Sequence, residues 1–539
     1  MKRITILVVV ILLALMLLPN LAGADDVTVD WQLQVQMAPA QANYARRTAA
    51  DLDGAMAATG TRASVAGDKL SMAGQNNPDA LRKILFKDAA EWLDLNAAEA
   101  RIEVSIPAGP APLTVRLQGR PATGYTWMPD EATLANPLLS VVDNQDMAML
   151  NDAIGGPSAG SYSVTNLGDA AQVAVFVYRR PWEVAKEAAI VLNVNMAENP
   201  GKLDLTDPSP RMFGRGLYTF GSRGGIAASG SADDSDGVAG KLATIAALPS
   251  AYDTRSLGLV PAIRDQGGCG SCWSFGTTAV MEIAVMKQTG TMTNLSEQFL
   301  INCNRDYWDC GGGLTASMYN VDELGYSQSA AGAVLESTLP YQQNDGYSCS
   351  VNYTKPYTGT EWKFLTGSEW TMPSNAAIKQ AIVDYGGVTA GVCADGAWDY
   401  YSSGVITGGN SYCGGSTNHQ IAIVGWDDTT GAWLVRNSWG TGWGISGYAW
   451  VKYDPSGIYS RIGEGSSYIT LGSGGVLPTP TLTSTPTATR TLKPPTPTKT
   501  PTLTKTPKPS RTPTSTKLPK ATKTPTRTPK PTKTPTPRP

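Results

Sequence analysis

The sequence predicts a multidomain chain: an all-β sandwich followed by a second folded unit, framed by an apolar leader and a Pro/Thr-rich tail. Three observations predict it. Short β-branched runs broken by Gly, Pro and Asn fill residues 99–197. All seven cysteines of the 539-residue chain lie between 247 and 472, in a stretch also rich in Trp and Tyr. Finally, residues 473–539 are nearly all Pro, Thr, Lys, Arg and Ser. At roughly 150 residues per domain, the length suggests two to four units.

Residues 1–24 carry Lys2 and Arg3, an apolar run from Ile4 to Leu18, and Ala22-Gly23-Ala24. That is the layout of a secretory signal cleaved after Ala24, and the run is shorter than the about 20 residues a membrane span needs. No later run is long and apolar enough to cross a membrane, so the mature chain is expected outside the cell or at its surface, where disulfides persist. Residues 25–98 form a region of unreadable role. Within it PDALRKILFKDAAEWLDL reads as a helix with Leu81, Ile84, Leu85, Ala89 and Trp92 on one face.

Residues 99–197 contain RIEVSI, LTVRL, SYSVTNL, AQVAVFVY and AAIVLNV, spaced as in a sandwich of about 100 residues. Residues 198–246 read as a flexible linker, because Gly214 to Gly240 is rich in Gly, Ser and Asp and poor in large apolar residues. The second unit spans 247–472. From Val476 onward the chain has 13 basic residues and no acids; with a net charge of -2 overall, the remainder carries -15. Such a tail cannot build a core and reads as an extended, polyproline-like spacer. Thr-linked glycosylation or attachment to an anionic cell-wall polymer are its other readings. Nucleic-acid binding is excluded by the lack of aromatics among the basic residues.

The chain has one histidine, His419. Multi-histidine metal sites are thereby ruled out, and no metal or cofactor is expected. What one imidazole permits is a thiol that gives it a proton while a third residue orients the ring. An odd cysteine count leaves at least one thiol without a partner in the chain. Cys272 opens SFGTTAVMEIAVMK, whose Phe275, Val280, Ile283 and Ala284 give a helical pattern. A thiol at a helix N-terminus is expected to be more acidic than usual. Gln266 lies on the incoming loop, where its amide can donate to a developing oxyanion together with the Cys272 N–H. Asn437, in VRNSWGTGWG, can orient the imidazole.

These residues resemble the papain-like cysteine peptidases. Cys269-Gly270-Ser271-Cys272-Trp273 fits that family's C-G-[SA]-C-[WY] signature, and His419 follows within the usual roughly 130 to 150 residues, with Asn437 a little beyond. LPSAYDTRSLGLVPAIRDQGGCGSCWSF, LSEQFLINC, CGGG and RNSWGTGWGISGYAWV extend the likeness. The resemblance implies an α+β fold with a helical left lobe and a β-barrel right lobe. It implies Cys272 as nucleophile, His419 as general base and acid, Asn437 as orienting residue, Gln266 as oxyanion donor, and Trp439 as a cover over the His–Asn hydrogen bond. Gly312 and Gly313 would pair with the backbone of a protein or peptide substrate; Leu314 and Asn418 would border the pocket for the residue two before the scissile bond. The same resemblance implies disulfides Cys269–Cys310 and Cys303–Cys349, which leaves Cys393 with Cys413.

A second resemblance lies upstream. RPATGYTW, GGPSAG and RRPW read first as Gly/Pro hairpin turns, but their order is similar to the three loops of chagasin-type inhibitors, immunoglobulin-like sandwiches that enter the cleft of papain-like peptidases. Pro121, Thr123, Gly124 and Tyr125 match the first loop, while Arg120 and Ala122 depart from it. Gly155 and Gly156 stand in a middle loop that Pro157 and Ser158 interrupt, and Arg180-Pro181-Trp182 matches the third. The resemblance implies an inhibitor joined to its own target, holding it latent at high effective concentration until the linker is cut. Two rivals use the same residues: a secreted binding protein with an inactive peptidase fold, and a transpeptidase or ligase.

Overall fold

The computed structural model describes residues 27–37, 61–88, 100–151, 153–210, 248–304, 308–313, 332–344, 349, 352–357, 359–366, 371–408, 413 and 415–471. The leader, most of the linker, the tail, Ala89, Trp92 and Leu314 lie outside them.

The first body is a two-sheet sandwich. Its strands are β1 (Val29–Gln36), β2 (Thr61–Ala66), β3 (Lys69–Asn76), β4 (Ala100–Ile106), β5 (Gly109–Gly119), β6 (Thr126–Pro129), β7 (Leu139–Asp143), β8 (Ala148–Met149), β9 (Ser158–Asn166), β10 (Gln172–Arg179), β11 (Ile190–Met196) and β12 (Lys202–Leu205). One sheet runs β2-β3-β1-β11-β4-β10-β6, and the other runs β12-β5-β9-β7 with β8 against β9. In β4 every second residue is buried, Ile102 and Val104 among them, as the two-residue period of a strand facing a core demands. Each fully buried large apolar side chain adds about 1.5–3 kcal/mol.

Two features differ from the sequence reading. Residues 29–36 and 61–85, without a readable role, belong to this sandwich. β1 pairs antiparallel with β11, Leu33 opposite Leu192, and its Val29, Trp31, Leu33 and Val35 enter the same core as Phe176 and Tyr178. The expected helix is one short α-helical turn, Pro78–Lys83, continued as a π-helix over Ile84–Asp88; it buries Leu81, Ile84 and Leu85 there. Secondly, Lys202–Leu205, inside the segment read as linker, is a strand parallel to β5 that buries Leu203 and Leu205. Non-local pairing decides both cases.

The second body packs helices against a sheet made of β13 (Ala251–Asp253), β14 (Gly359–Phe364), β15 (Val388–Val392), β16 (Val405–Ile406), β17 (His419–Asp427), β18 (Ala432–Arg436), β19 (Tyr448–Lys452) and β20 (Glu464–Leu471). Its order is β14-β20-β15-β17-β18-β19-β16, with β13 on β17. The helix Cys272–Thr289 is buried along most of its length, and Gly290 ends it at φ +69°. That left-handed conformation is one glycine adopts without strain. Arg264, just ahead of the signature loop, is held by Glu282 at 2.8 Å and Glu297 at 2.9 Å. Disulfides Cys269–Cys310, Cys303–Cys349 and Cys393–Cys413 close loops with sequence separations of 41, 46 and 20, each constraint being typically worth about 2–4 kcal/mol. Cys272 is the free cysteine. Among the described residues, no helix is long and apolar enough to cross a membrane.

Candidate active site and the loops that cover it

Cys272 is the first residue of its helix, and His419 the first of β17. The His419 Nε2 lies 2.8 Å from Asn437 Oδ1. That oxygen also accepts the Ser438 backbone N–H at 2.8 Å, which fixes the amide orientation. Nε2 is therefore the donor, and Nδ1, buried with no hydrogen-bond partner among the described residues, keeps its lone pair. The Trp439 ring lies 5.1 Å from the His419 ring and is itself buried, shielding the His–Asn bond from water. Trp398 meets both rings edge-on at 6.1 Å. It was not singled out in the sequence, where nothing distinguishes it from other core tryptophans.

Gln266 is fully buried; its Nε2 donates to Cys269 O at 2.9 Å and its Oε1 accepts from Ser438 Oγ at 2.6 Å. The amide thus stands beside the Cys272 loop with one of its two protons on Cys269 O. Asn418 exchanges two hydrogen bonds with the Ala394 backbone, at 2.8 and 3.1 Å, so its side chain is spent on shape and its carbonyl faces the cleft.

All three loops of the β body reach this place. Ile154 and Gly313 form an antiparallel bridge, with N–H to O distances of 2.7 and 2.8 Å, and Gly155 N–H donates to Asn418 O at 2.7 Å. A Cβ on Gly155 would lie 2.2 Å from Gly270 O and 3.2 Å from Cys272 Sγ, and one on Gly312 would lie 2.7 Å from Ala153 Cβ. Gly155 has φ +83°, so its backbone turns instead of running extended past the sulfur. Gly156 closes that turn onto Ala153 O.

On the other side, Trp439 Nε1 donates to Ala122 O at 2.8 Å, and Trp182 stacks on Trp439 with ring centres 5.6 Å apart. Gly124, at φ +75°, sits where a Cβ would be 2.4 Å from Trp182. Arg180, buried behind Pro181-Trp182, donates to Thr123 O at 2.9 Å, Glu183 at 3.0 Å and Asp265 at 2.8 Å, with its guanidinium 4.9 Å from the Tyr125 ring centre. Asp265 gave no signal in the sequence beyond standing next to Gln266.

The electrostatics differ from the expectation of an acidic thiol. Burial pushes Cys272 up to about 12, against hydrogen bonds from the Gln420, Trp273 and Cys272 backbones. Burial also brings His419 down to about 4, against the Asn437 bond. The helix N-terminus is present, but Ala122 and Ile154 pack with Cys272 in one buried cluster, and desolvation outweighs the dipole. In this covered state the pair is a neutral thiol and a neutral imidazole.

Residues 248–468 match the family model described as papain family cysteine protease. The chain carries a papain-family cysteine protease domain. Residues 111–194 match the chagasin family peptidase inhibitor I42, so an inhibitor-family domain precedes the papain-family domain in the same chain. Relatives of the papain-family domain include the senescence-specific cysteine protease SAG12 of Arabidopsis thaliana, 32% identical over 212 residues, covering 39% of this chain and 58% of that one. Cysteine endopeptidase Rep1 of Oryza sativa subsp. japonica is 34% identical over 213 residues, covering 38% and 54%. The chain thus spans about half the length of these curated relatives. Among solved structures, the bromelain protease from Ananas comosus in complex with the E64 inhibitor is 29% identical, covering 41% of this chain and 99% of that one at a TM-score of 0.36.

Proposed function

We propose that the chain is a secreted cysteine endopeptidase whose chagasin-family domain holds its papain-family domain latent until the linker is cut. One observation carries this reading: Ile154 pairs with Gly313, expected to pair with substrate backbone, and Gly155 donates to the carbonyl of Asn418, expected to border the substrate pocket, while lying against the Cys272 sulfur. Gly155 turns away at φ +83°, so the loop fills the site without presenting an extended peptide to it. A tethered inhibitor needs only modest intrinsic affinity, because the linker fixes its effective concentration.

Once uncovered, Cys272 passes its proton to the free Nδ1 of His419 and attacks the substrate carbonyl carbon. The carbonyl oxygen takes up the electron pair and is stabilised by the Cys272 N–H and by the second N–H of the Gln266 amide, the first being held by Cys269 O. The tetrahedral species collapses, the C–N bond breaks, and the imidazolium protonates the leaving amine. Water, deprotonated by His419, then hydrolyses the thioester. Asn437 holds the ring through Nε2 throughout. Residues 473–539 serve as a spacer outside this chemistry.

The test compares intact protein with protein cut between about Gly221 and Pro249, on a small fluorogenic peptide and with iodoacetamide labelling mapped by mass spectrometry. Activity and Cys272 labelling that rise on cutting support the reading. Equal activity before and after cutting sinks the latency; a thiol other than Cys272 labelled in step with loss of activity sinks the catalytic assignment.

A further inference from the structure

We propose that Tyr341 is a positioning residue for the oxyanion site: its hydroxyl clips together the two ends of the signature loop, so that the Gln266 amide and the Cys272 N–H stay set for one oxygen. This rests on the peptidase reading above.

The two donors stand six residues apart, and three of the five residues between them are glycines, Gly267, Gly268 and Gly270. Glycine gives a backbone wide freedom, so the loop's own torsions do not fix the spacing. The Cys269–Cys310 disulfide, with the Gly270 N–H on Cys310 O at 3.0 Å, secures the middle. The ends need a separate restraint, and Tyr341 supplies it from outside the loop. Its hydroxyl donates to Gln266 O at 2.7 Å and lies 2.8 Å from Ser271 Oγ. A phenol has one proton and a carbonyl oxygen can only accept, so the Ser271 hydroxyl is the donor in the second contact. The residue just before Cys272 is thereby tied, through one phenol oxygen, to the residue that carries the other donor. On its far side the Gln266 N–H donates to Ser438 O at 2.9 Å, so both peptide groups of Gln266 are held.

The tyrosine is fixed without its hydroxyl. Its backbone N–H donates to Glu336 Oε1 at 2.8 Å, and its ring meets Phe275 edge-on with centres 4.8 Å apart. Phe275 is buried in the first turn of the Cys272 helix. Burial holds the phenol above its ordinary range, against the Ser271 bond, so the proton that makes the clip stays on through acidic and neutral pH. None of these contacts involves the sandwich, and the clip is independent of the cover. An oxyanion donor counts most when it is already set where charge develops, and a misplacement of about 1 Å can cost about 100-fold.

In linker-cut protein, Tyr341→Phe keeps the ring on Phe275 and removes the clip. On a fluorogenic peptide kcat should fall about tenfold or more while KM stays within about twofold. Alkylation of Cys272 by iodoacetamide displaces iodide from a CH₂ carbon and builds no oxyanion, so its rate should stay within about twofold. Ser271→Ala breaks the other half of the clip and leaves the Gln266 half; it should lower kcat about three- to fivefold, and the double variant should lose about as much as Tyr341→Phe alone, as for residues acting in one unit. An unchanged kcat in folded Tyr341→Phe overturns the inference, as does an unchanged kcat in Ser271→Ala. Alkylation that falls in step with kcat also overturns it, because that marks a general disturbance of the site. If linker-cut wild type alkylates at Cys272 but cleaves no peptide, the peptidase reading fails and takes the inference with it; if wild type and Tyr341→Phe cleave equally well, the inference falls alone.

Discussion

Replacing Gly155 by Ala puts the most direct pressure on the covered site. The new Cβ would lie 2.2 Å from Gly270 O, 2.8 Å from Gly270 C and 3.2 Å from Cys272 Sγ, and two of these three neighbours are backbone that cannot swing aside. At φ +83° an L-side chain also carries left-handed strain of about 1–2 kcal/mol. Overpacking a closed contact adds about 1–3 kcal/mol. The sum, roughly 2–5 kcal/mol, shifts the covered-to-open ratio about thirty-fold to a few thousand-fold at 1.4 kcal/mol per decade. Linker-intact Gly155→Ala should therefore cleave a fluorogenic peptide at close to the rate of linker-cut wild type, with the chain length confirmed on a gel. Gly201→Ala is the control: Gly201 has φ +76° but nothing within 4 Å of a Cβ, so it strains the same sandwich without touching the cleft and should stay latent. A linker-intact Gly155→Ala protein as inactive as wild type, with an unchanged melting curve, would refute the reasoning.

Arg180→Ala removes a buried fork that joins Thr123, Glu183 and Asp265. It should weaken latency by about 1.5–3 kcal/mol, read as raised activity of the uncut chain, and Arg180→Lys should not rescue it because the fork geometry is lost. For pH, His419 is held near 4 while covered and returns toward about 6.5 when exposed. The open state binds more protons in that window, so the covered state is stable above it and weakens as pH falls through it. Cys272, pushed up to about 12, acts oppositely, its contribution present below about 9 and lost as pH rises toward 12. Latency should be greatest between about pH 6.5 and 9, and a fluorescence titration of the Trp182–Trp439 stack that tightens toward pH 4.5 contradicts this. Trp31→Ala, which empties a fully buried position shared by the N-terminal strands and the sandwich, should cost about 3–5 kcal/mol. Its melting transition should fall, and activity of the uncut chain should rise.

The meeting of His419 with Asn437 beside the Cys272 helix was legible because the proposed nucleophile, imidazole and orienting amide need fixed residue types, and the sequence offers a single histidine. Much of the contact between the sandwich loops and the cleft was legible for a similar reason: Gly124 and Gly155 sit at positive φ in places where a Cβ would collide, so glycine is demanded there. The role of residues 29–36 was not. Their alternation of Val29, Trp31, Leu33 and Val35 is a strand pattern, but its partner β11 is distant in sequence, and no local signal names a partner. Nor could the ionisation of Cys272 be read. A helix N-terminus lowers a thiol's pKa wherever it occurs, whereas the burial that overrides it comes from loops more than a hundred residues upstream.

The seventh sulfur has a second consequence for a chain that must oxidise the other six. A free thiolate attacks disulfides through mixed intermediates, in proportion to its ionised fraction and its access to solvent, and in air or peroxide it climbs toward sulfenic and sulfinic acid. With Gly155 lodged against it and its proton held, Cys272 is withdrawn from both reactions while Cys269, three residues away, keeps its bond to Cys310. In the folded chain the covering loops thus keep this sulfur away from the three cross-links around it, and under the proposed latency only cutting the linker would bring it into contact with solvent.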